Sequence, residues 1–212
     1  MKNKKFILFV LEISQFFRKR KWSVLRRASN TTNLDSTLKF LKLAQLAEHL
    51  EFYAPKSILE LGTGASTVII SEYQKKFMIP VTCIDESEEF ANNAREVSNI
   101  SAQFLICPVK KSQISDIIHI NYECNETFGY FDLCIIDGPN LLVQGFKYKN
   151  SINSGIIESL IERGNPPRII LVDGRDKTCE YICQNYSYKW IKTDLRNPRF
   201  FKFNYWNILL LQ

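Results

Sequence analysis

The sequence predicts an α/β domain built on a doubly wound, mostly parallel sheet, and three observations carry that expectation. Short apolar runs recur at residues 57–61, 81–85, 103–107, 131–137 and 168–173, each followed by a polar or glycine-bearing turn. Helix-length segments separate most of them, at 66–76, 87–99, 112–120 and 152–163. Strands alternating with helices imply parallel pairing with helices on both faces of the sheet. After residues 176–185 come two further β-rich pieces, 188–193 and 200–211, joined by Arg196-Asn197-Pro198-Arg199. A connection that short allows only an antiparallel hairpin, so the sheet ends on a reversed strand.

Composition sets the frame for these elements. At 212 residues with 45% hydrophobic and 13% aromatic content, the chain buries one substantial core. The net charge of +6 is unevenly placed: residues 1–33 hold nine Lys or Arg against one acid, Glu12, which leaves the remainder slightly acidic. We therefore divide the chain into a basic extension, 1–33, and a domain, 34–212. The basic excess belongs to the extension and does not argue for a nucleic-acid groove across the domain, so no nucleic-acid partner is expected.

The extension, MKNKKFILFVLEISQFFRKRKWSVLRR in its first 27 residues, is read by elimination. Glu12 interrupts the apolar stretch, and Arg18-Lys19-Arg20-Lys21 follows it where a signal peptide would need small residues. About a dozen apolar residues also fall short of the ~20 that span a bilayer. What remains is a helix with Phe6, Phe9, Val10, Ile13, Phe16 and Phe17 on one side and basic flanks. Such a face suits an anionic membrane surface or packing on the protein's own domain or a partner. The six cysteines, Cys83, Cys107, Cys124, Cys134, Cys179 and Cys183, form no C-x-x-C pair. They read as core or surface thiols in a reducing, cytoplasmic compartment, with no zinc site.

Against this background the stretch SILELGTGAST, residues 57–67, stands out, because it spends two of only eight glycines two residues apart. Residues 57–61 supply a first strand. Gly62 and Gly64 permit a sharp turn and close approach of a ligand, and Ser66 or Thr67 can cap the next helix. In an open parallel sheet this turn lies at the crevice where ligands bind. The dinucleotide fingerprint is incomplete, since Thr67 stands where a third glycine belongs, and no phosphate loop of the G-x-x-x-x-G-K type occurs.

Glu60 before the glycines and Asp85 at the end of the next strand complete a pattern. The run E-L-G-T-G-A-S resembles motif I of class I S-adenosylmethionine-dependent methyltransferases, Asp85 in VTCIDES stands in the place of their ribose-binding acid, and FDLCIIDGP looks like their fourth strand. The resemblance implies a Rossmann-like seven-stranded sheet of order 3-2-1-4-5-7-6. It also implies S-adenosylmethionine as cofactor, held by Glu60, Gly62, Gly64, Ser66 and Asp85. No Arg or Lys lies in residues 62–73, which fits a ligand without phosphate. Glu60 is expected near the methionine end of the cofactor.

For the chemistry, Asp137 at the end of the fourth strand is the catalytic candidate, as base or acceptor anchor. Asp173, ending the fifth strand, is expected beside it with Arg175 close by; His49 and His119 fall outside the strand ends and are not read as bases. Asp137 with Asp173 is similar to the metal site of catechol-type and caffeoyl-coenzyme-A-type O-methyltransferases, but Gly174 replaces their next acidic or amide residue, so no metal is assigned. Asn165-Pro166-Pro167-Arg168 echoes the N-P-P-Y box of amino-methyltransferases in the wrong place and reads as a loop. Residues 139–155, with Gln144, Phe146, Lys147, Tyr148 and Asn150, should overhang the methyl site and suit a hydroxylated small molecule or glycan. The expected activity is O-methylation of such an acceptor in the cytoplasm, at the inner face of a membrane if the extension binds lipid instead of packing on the domain. The alternatives are an aminopropyltransferase or a non-catalytic membrane-associated binding module on the same fold.

Overall fold

The computed structural model describes residues 37–114, 116–140, 142–143, 146–148, 150–191 and 206–212, with backbone only for 37–41, 142–143 and 146–147. The basic extension and the Arg196 to Arg199 connection lie outside the described residues. The elements are α1 (Thr37–Tyr53), β1 (Ile58–Leu61), α2 (Ala65–Phe77), β2 (Val81–Asp85), α3 (Glu88–Ser98), β3 (Gln103–Ile106), β4 (Val109–Ile114) and β5 (Ile117–Tyr122), followed by β6 (Leu133–Ile136), β7 (Leu142–Val143), β8 (Phe146–Lys147), α4 (Gly155–Glu162), β9 (Ile169–Val172), α5 (Asp176–Asn185), β10 (Tyr188–Ile191) and β11 (Asn207–Leu211).

Seven strands form the main sheet in the order β3-β2-β1-β6-β9-β11-β10. Counting only those seven in chain order, this is 3-2-1-4-5-7-6. β11 runs antiparallel to both of its neighbours, while β3, β2, β1, β6 and β9 are mutually parallel. The strand order reverses between β1 and β6, where such sheets open a ligand crevice at their carboxyl ends.

Alternation along the strands sorts the core into two layers. Ile58, Leu133, Ile135, Ile169 and Leu171 face a layer that includes Leu43 and Leu46 of α1 and Val68 and Ile69 of α2. Leu59, Leu61, Cys134, Ile136, Ile170 and Val172 face the opposite layer, with Ile157 and Leu160 of α4 and Ile182 of α5. The strands read as unbroken apolar runs because both faces are covered. α3 forms as the sequence invites: the Ser87 hydroxyl caps it by accepting from Phe90 N at 3.3 Å, Glu88 and Glu89 occupy the first turn, and Asn99 ends it at φ 49°. Asp132 and Arg168, at the opposite strand ends, pair at 2.8 Å and join β6 to β9.

Two sequence expectations are corrected here. Residues 112–120 are not a helix: β4 and β5 form an antiparallel hairpin with Ile114 opposite Ile117. The spacing of Ile114, Ile117 and Ile118 fits a helical face, but these β-branched residues sit on a short two-stranded ribbon whose inner positions, His119, Ile120 and Tyr122, are buried. The hairpin has a covalent consequence. Cys107, just after β3, and Cys124, just after β5, are brought to a Cα separation of 5.3 Å and joined in a disulfide. The expectation of six thiols therefore fails for this pair, while Cys83, Cys134, Cys179 and Cys183 are free. Among the described residues, no helix is long and apolar enough to cross a membrane.

Candidate active site

The turn after β1 is built by two glycines with different tasks. Gly62 has φ +90°, and a Cβ there would stand 2.4 Å from Gly138 N and 2.6 Å from Gly138 Cα. Gly138 N in turn donates to Leu61 O at 2.6 Å, so the ends of β1 and β6 touch backbone to backbone. Gly62 is thus demanded by the protein itself. Around Gly64 the situation is reversed, since a Cβ there would meet nothing within 4 Å. The space beside Gly64, at the start of α2, is open to a ligand.

Glu60 is fully buried and explains why the turn keeps its shape. Its carboxyl accepts from Ser66 Oγ at 2.6 Å, Thr67 Oγ1 at 2.8 Å and Cys83 Sγ at 3.4 Å. Burial pushes its pKa up to about 7, although these three donors oppose the rise. The sequence reading named Glu60 and Ser66 as cofactor-binding, Glu60 through backbone or water contacts near the methionine end; the geometry turns their side chains toward each other. Thr67 Oγ1 also accepts from Gly64 N at 2.9 Å, which locks the first turn of α2 from its own side.

Asp85, ending β2, faces the same turn. Its Oδ2 accepts from Thr63 N at 2.6 Å and Thr63 Oγ1 at 2.7 Å, and its Oδ1 from Ser87 N at 2.8 Å. A carboxylate has about four acceptor directions, so these bonds leave about one for a ligand hydroxyl, and about two when the Thr63 hydroxyl turns away. The next residue, Glu86, accepts from Tyr122 Oη and Asn140 N, both at 2.9 Å. Glu86 therefore ties the disulfide-anchored hairpin to the loop after β6.

Asp137 and Asp173 follow β6 and β9 at neighbouring ends, as expected. Lys42 of α1 lies between them, its Nζ donating to Asp137 at 3.2 and 3.3 Å and to Asp173 at 2.5 Å. Burial pushes Asp137 up, but the Lys42 ammonium and the hydrogen bond with Asp173 outweigh it and hold the carboxyl below its ordinary value. Asp173 is raised to about 6, by burial first and by the Asp137 charge second. Burial opposes the charge of Lys42, yet its pKa rises because two carboxylates surround it. Arg175, close by as the sequence suggested, spends its Nη atoms on Asn153 Oδ1 at 2.8 Å and on the carbonyls of Asp137 and Pro139 at 2.8 and 3.0 Å. It fixes the backbone beneath the pair.

The sequence reading missed Lys42, Glu86 and Tyr122. Nothing local marks Lys42, whose partners are 95 and 131 residues away in the chain. His49 and His119 are buried in ring contacts with Tyr53 and Tyr181. In the segment expected to overhang the site, Gln144 and the side chains of Phe146 and Lys147 lie outside the described residues. Tyr148 accepts from Lys111 Nζ of β4 at 2.8 Å, and Asn150 is exposed. Tyr148 and Asn150 also line a cleft of about 540 Å³ with Ile118, Lys177 and Tyr181, which includes none of the strand-end acids. Among the described residues, no group of three or more His, Cys, Asp or Glu is placed to hold a metal ion.

No protein-family model and no curated protein matches this chain. Solved structures do. The S-adenosylhomocysteine-bound methyltransferase PaMTH1 of Podospora anserina is similar over 97% of this chain and 88% of its own, at 14% identity and a TM-score of 0.56. An O-methyltransferase of Bacillus cereus in complex with S-adenosylhomocysteine is similar over 91% of this chain and 92% of its own, at 16% identity and a TM-score of 0.54. The chain has the Rossmann-like fold of these methyltransferases.

Proposed function

We propose that this protein is an S-adenosylmethionine-dependent methyltransferase acting on oxygen of a hydroxylated small molecule or glycan. The observation that carries the reading is the open space at Gly64, bounded by Asp85 and by the start of α2, at the strand-order reversal of a sheet shared with proteins crystallised with S-adenosylhomocysteine. A helix N-terminus attracts a carboxylate such as that of the methionine moiety. Asp85 receives the ribose hydroxyls. Glu60 and Ser66 serve the cofactor indirectly, by holding the turn. When bound, the cofactor supplies a methyl group made electrophilic by its positive sulfur.

The two strand-end acids divide the remaining work. Asp137, kept ionised, anchors the acceptor hydroxyl, and Asp173, titrating near 6, is the better-matched proton acceptor of the two. The sequence reading leaves Asp137 as either base or acceptor anchor. Positioning of the acceptor supplies most of the rate, since an aligned pair gains several kcal/mol over free encounter. A screen of hydroxylated acceptors with methyl-labelled S-adenosylmethionine tests the reading: label should pass to an acceptor oxygen, and transfer to amines alone would refute O-methylation.

The basic extension, residues 1–27, extends the proposal to an anionic membrane surface at the cytoplasmic face. The Cys107–Cys124 disulfide pulls against that location, because such bonds persist chiefly in oxidising compartments. Thiol trapping of the protein in intact cells decides: a reduced pair supports the cytoplasm, and a fully oxidised pair places the protein outside it.

A further inference from the structure

We infer that Lys42 is the resident counter-cation of the Asp137–Asp173 pair and occupies the seat a divalent metal ion would otherwise take. The inference concerns the site of the proposed function but does not require the cofactor or acceptor to be right. β6 and β9 are parallel neighbours with Ile136 opposite Val172, so the two acids that follow emerge side by side. Two adjacent carboxylates repel, and with both ionised a cation between them is what relieves the repulsion. Arg175 does not fill that place, because its Nη atoms bond Asn153 and two backbone carbonyls. Lys42 does fill it, with three carboxylate oxygens within 3.3 Å of Nζ.

The ammonium is held there from behind. Its Nζ lies 4.7 Å from the ring centroid of Trp206, and the indole N–H of that same fully buried tryptophan donates to Lys42 O at 3.0 Å. One residue thus fixes both the backbone and the charged end of Lys42. The cation side chain is 19% exposed and the two acids about one-third exposed, so the cluster borders open space and is no sealed core pair. Lys42 is accordingly a positioning residue: it keeps Asp137 ionised and oriented with a tethered single charge, and the site works without a bound metal.

Manganese binding tests this directly, using electron paramagnetic resonance to count free Mn²⁺ in the presence of the full chain. Wild-type protein should leave Mn²⁺ free. Lys42→Met, which keeps an unbranched side chain of similar length without the charge, and Lys42→Ala should each bind one Mn²⁺ at least about tenfold more tightly than wild type, since two vacated carboxylates suffice to hold a hydrated divalent ion. Adding Asp137→Asn to either should abolish the binding, and Lys42→Arg should restore the wild-type result. Wild-type protein that binds Mn²⁺ through Asp137 would overturn the inference, as would a cooperatively melting Lys42→Met that binds none. Failure of S-adenosylhomocysteine to bind would instead remove the proposed function and leave the manganese result standing.

Discussion

Replacing Glu60 by glutamine should flatten the dependence of thermal stability on pH. The carboxyl is fully buried, and its pKa lies at about 7 in the folded protein against 4.5 ordinarily. The folded state therefore binds this proton more tightly than the unfolded chain does. By linkage, the stabilisation is fully present below pH 4.5 and is lost as pH rises through about 7. The difference of about 2.5 powers of ten in proton affinity corresponds to on the order of 3 kcal/mol. For a chain of this size that is roughly 6 to 12 °C in Tm. Asp173 contributes with the same sign through about pH 6, and Asp137 and Asp132 with the opposite sign at lower pH, so the informative quantity is the wild-type Tm minus that of Glu60→Gln. The amide mimics the protonated acid and keeps an acceptor for Ser66 or Thr67. Melting by circular dichroism from pH 5 to 8 should show similar Tm values at the acid end and the variant pulling ahead of wild type as pH rises, with the gap levelling off above about pH 7. Parallel profiles would refute the claim that Glu60 is a proton-holding brace of the turn.

Other predictions follow from the same geometry. Gly62→Ala should lower Tm by several degrees whether or not cofactor is present, because its Cβ collides with the Gly138 backbone; an unchanged Tm would show that the crossing of β1 and β6 can relax. Asp173→Asn should lower turnover by ~10²-fold and remove the acid limb near pH 6 from the rate profile, whereas Asp137→Asn should chiefly raise the acceptor KM. Equal effects on both would dissolve the division of roles. Deleting residues 1–27 should abolish co-sedimentation with anionic vesicles, which should itself weaken as salt rises, and leave cofactor affinity intact. Loss of thermal stability in that deletion, with no vesicle binding by the full chain, would assign the extension to packing instead.

The alternation of strands and helices was legible because long apolar runs are bounded by turns, whereas the strand order came from the resemblance to class I methyltransferases; β10 and β11 are separated by residues 192–206, a longer connection than the tight hairpin read from the sequence. Residues 112–120 were misread for a definite reason: Ile114, Ile117 and Ile118 satisfy a helical spacing, while the two-residue turn between β4 and β5 carries neither Asn-Gly nor Asp-Gly. The disulfide was lost with it, since only the hairpin brings Cys107 to Cys124. The placement of Gly62, Gly64, Asp85, Asp137 and Asp173 at or just beyond the ends of β1, β2, β6 and β9 was readable. The side-chain contacts of Glu60 were not, because Ile58 and Glu60 share a strand face and that face is the buried layer under α2. Lys42 was invisible for the opposite reason: its meaning lies wholly in tertiary contacts with two acids far along the chain.

If the adenosyl cofactor lies against Gly64, calorimetric titration of S-adenosylhomocysteine into wild type and Gly64→Val will show it. Gly64 has an extended φ of 166° that any residue adopts, and its Cβ direction is empty, so valine should leave the Tm within a degree or two of wild type. Wild type should bind S-adenosylhomocysteine and Gly64→Val should bind it at least ~10-fold more weakly, because the added methyls occupy the space meant for the ligand. Asp85→Ala, measured alongside, should lose roughly 1.5 to 3 kcal/mol of affinity. Wild-type protein that fails to bind would refute the cofactor assignment, and a folded Gly64→Val that binds with unchanged affinity would place the cofactor elsewhere.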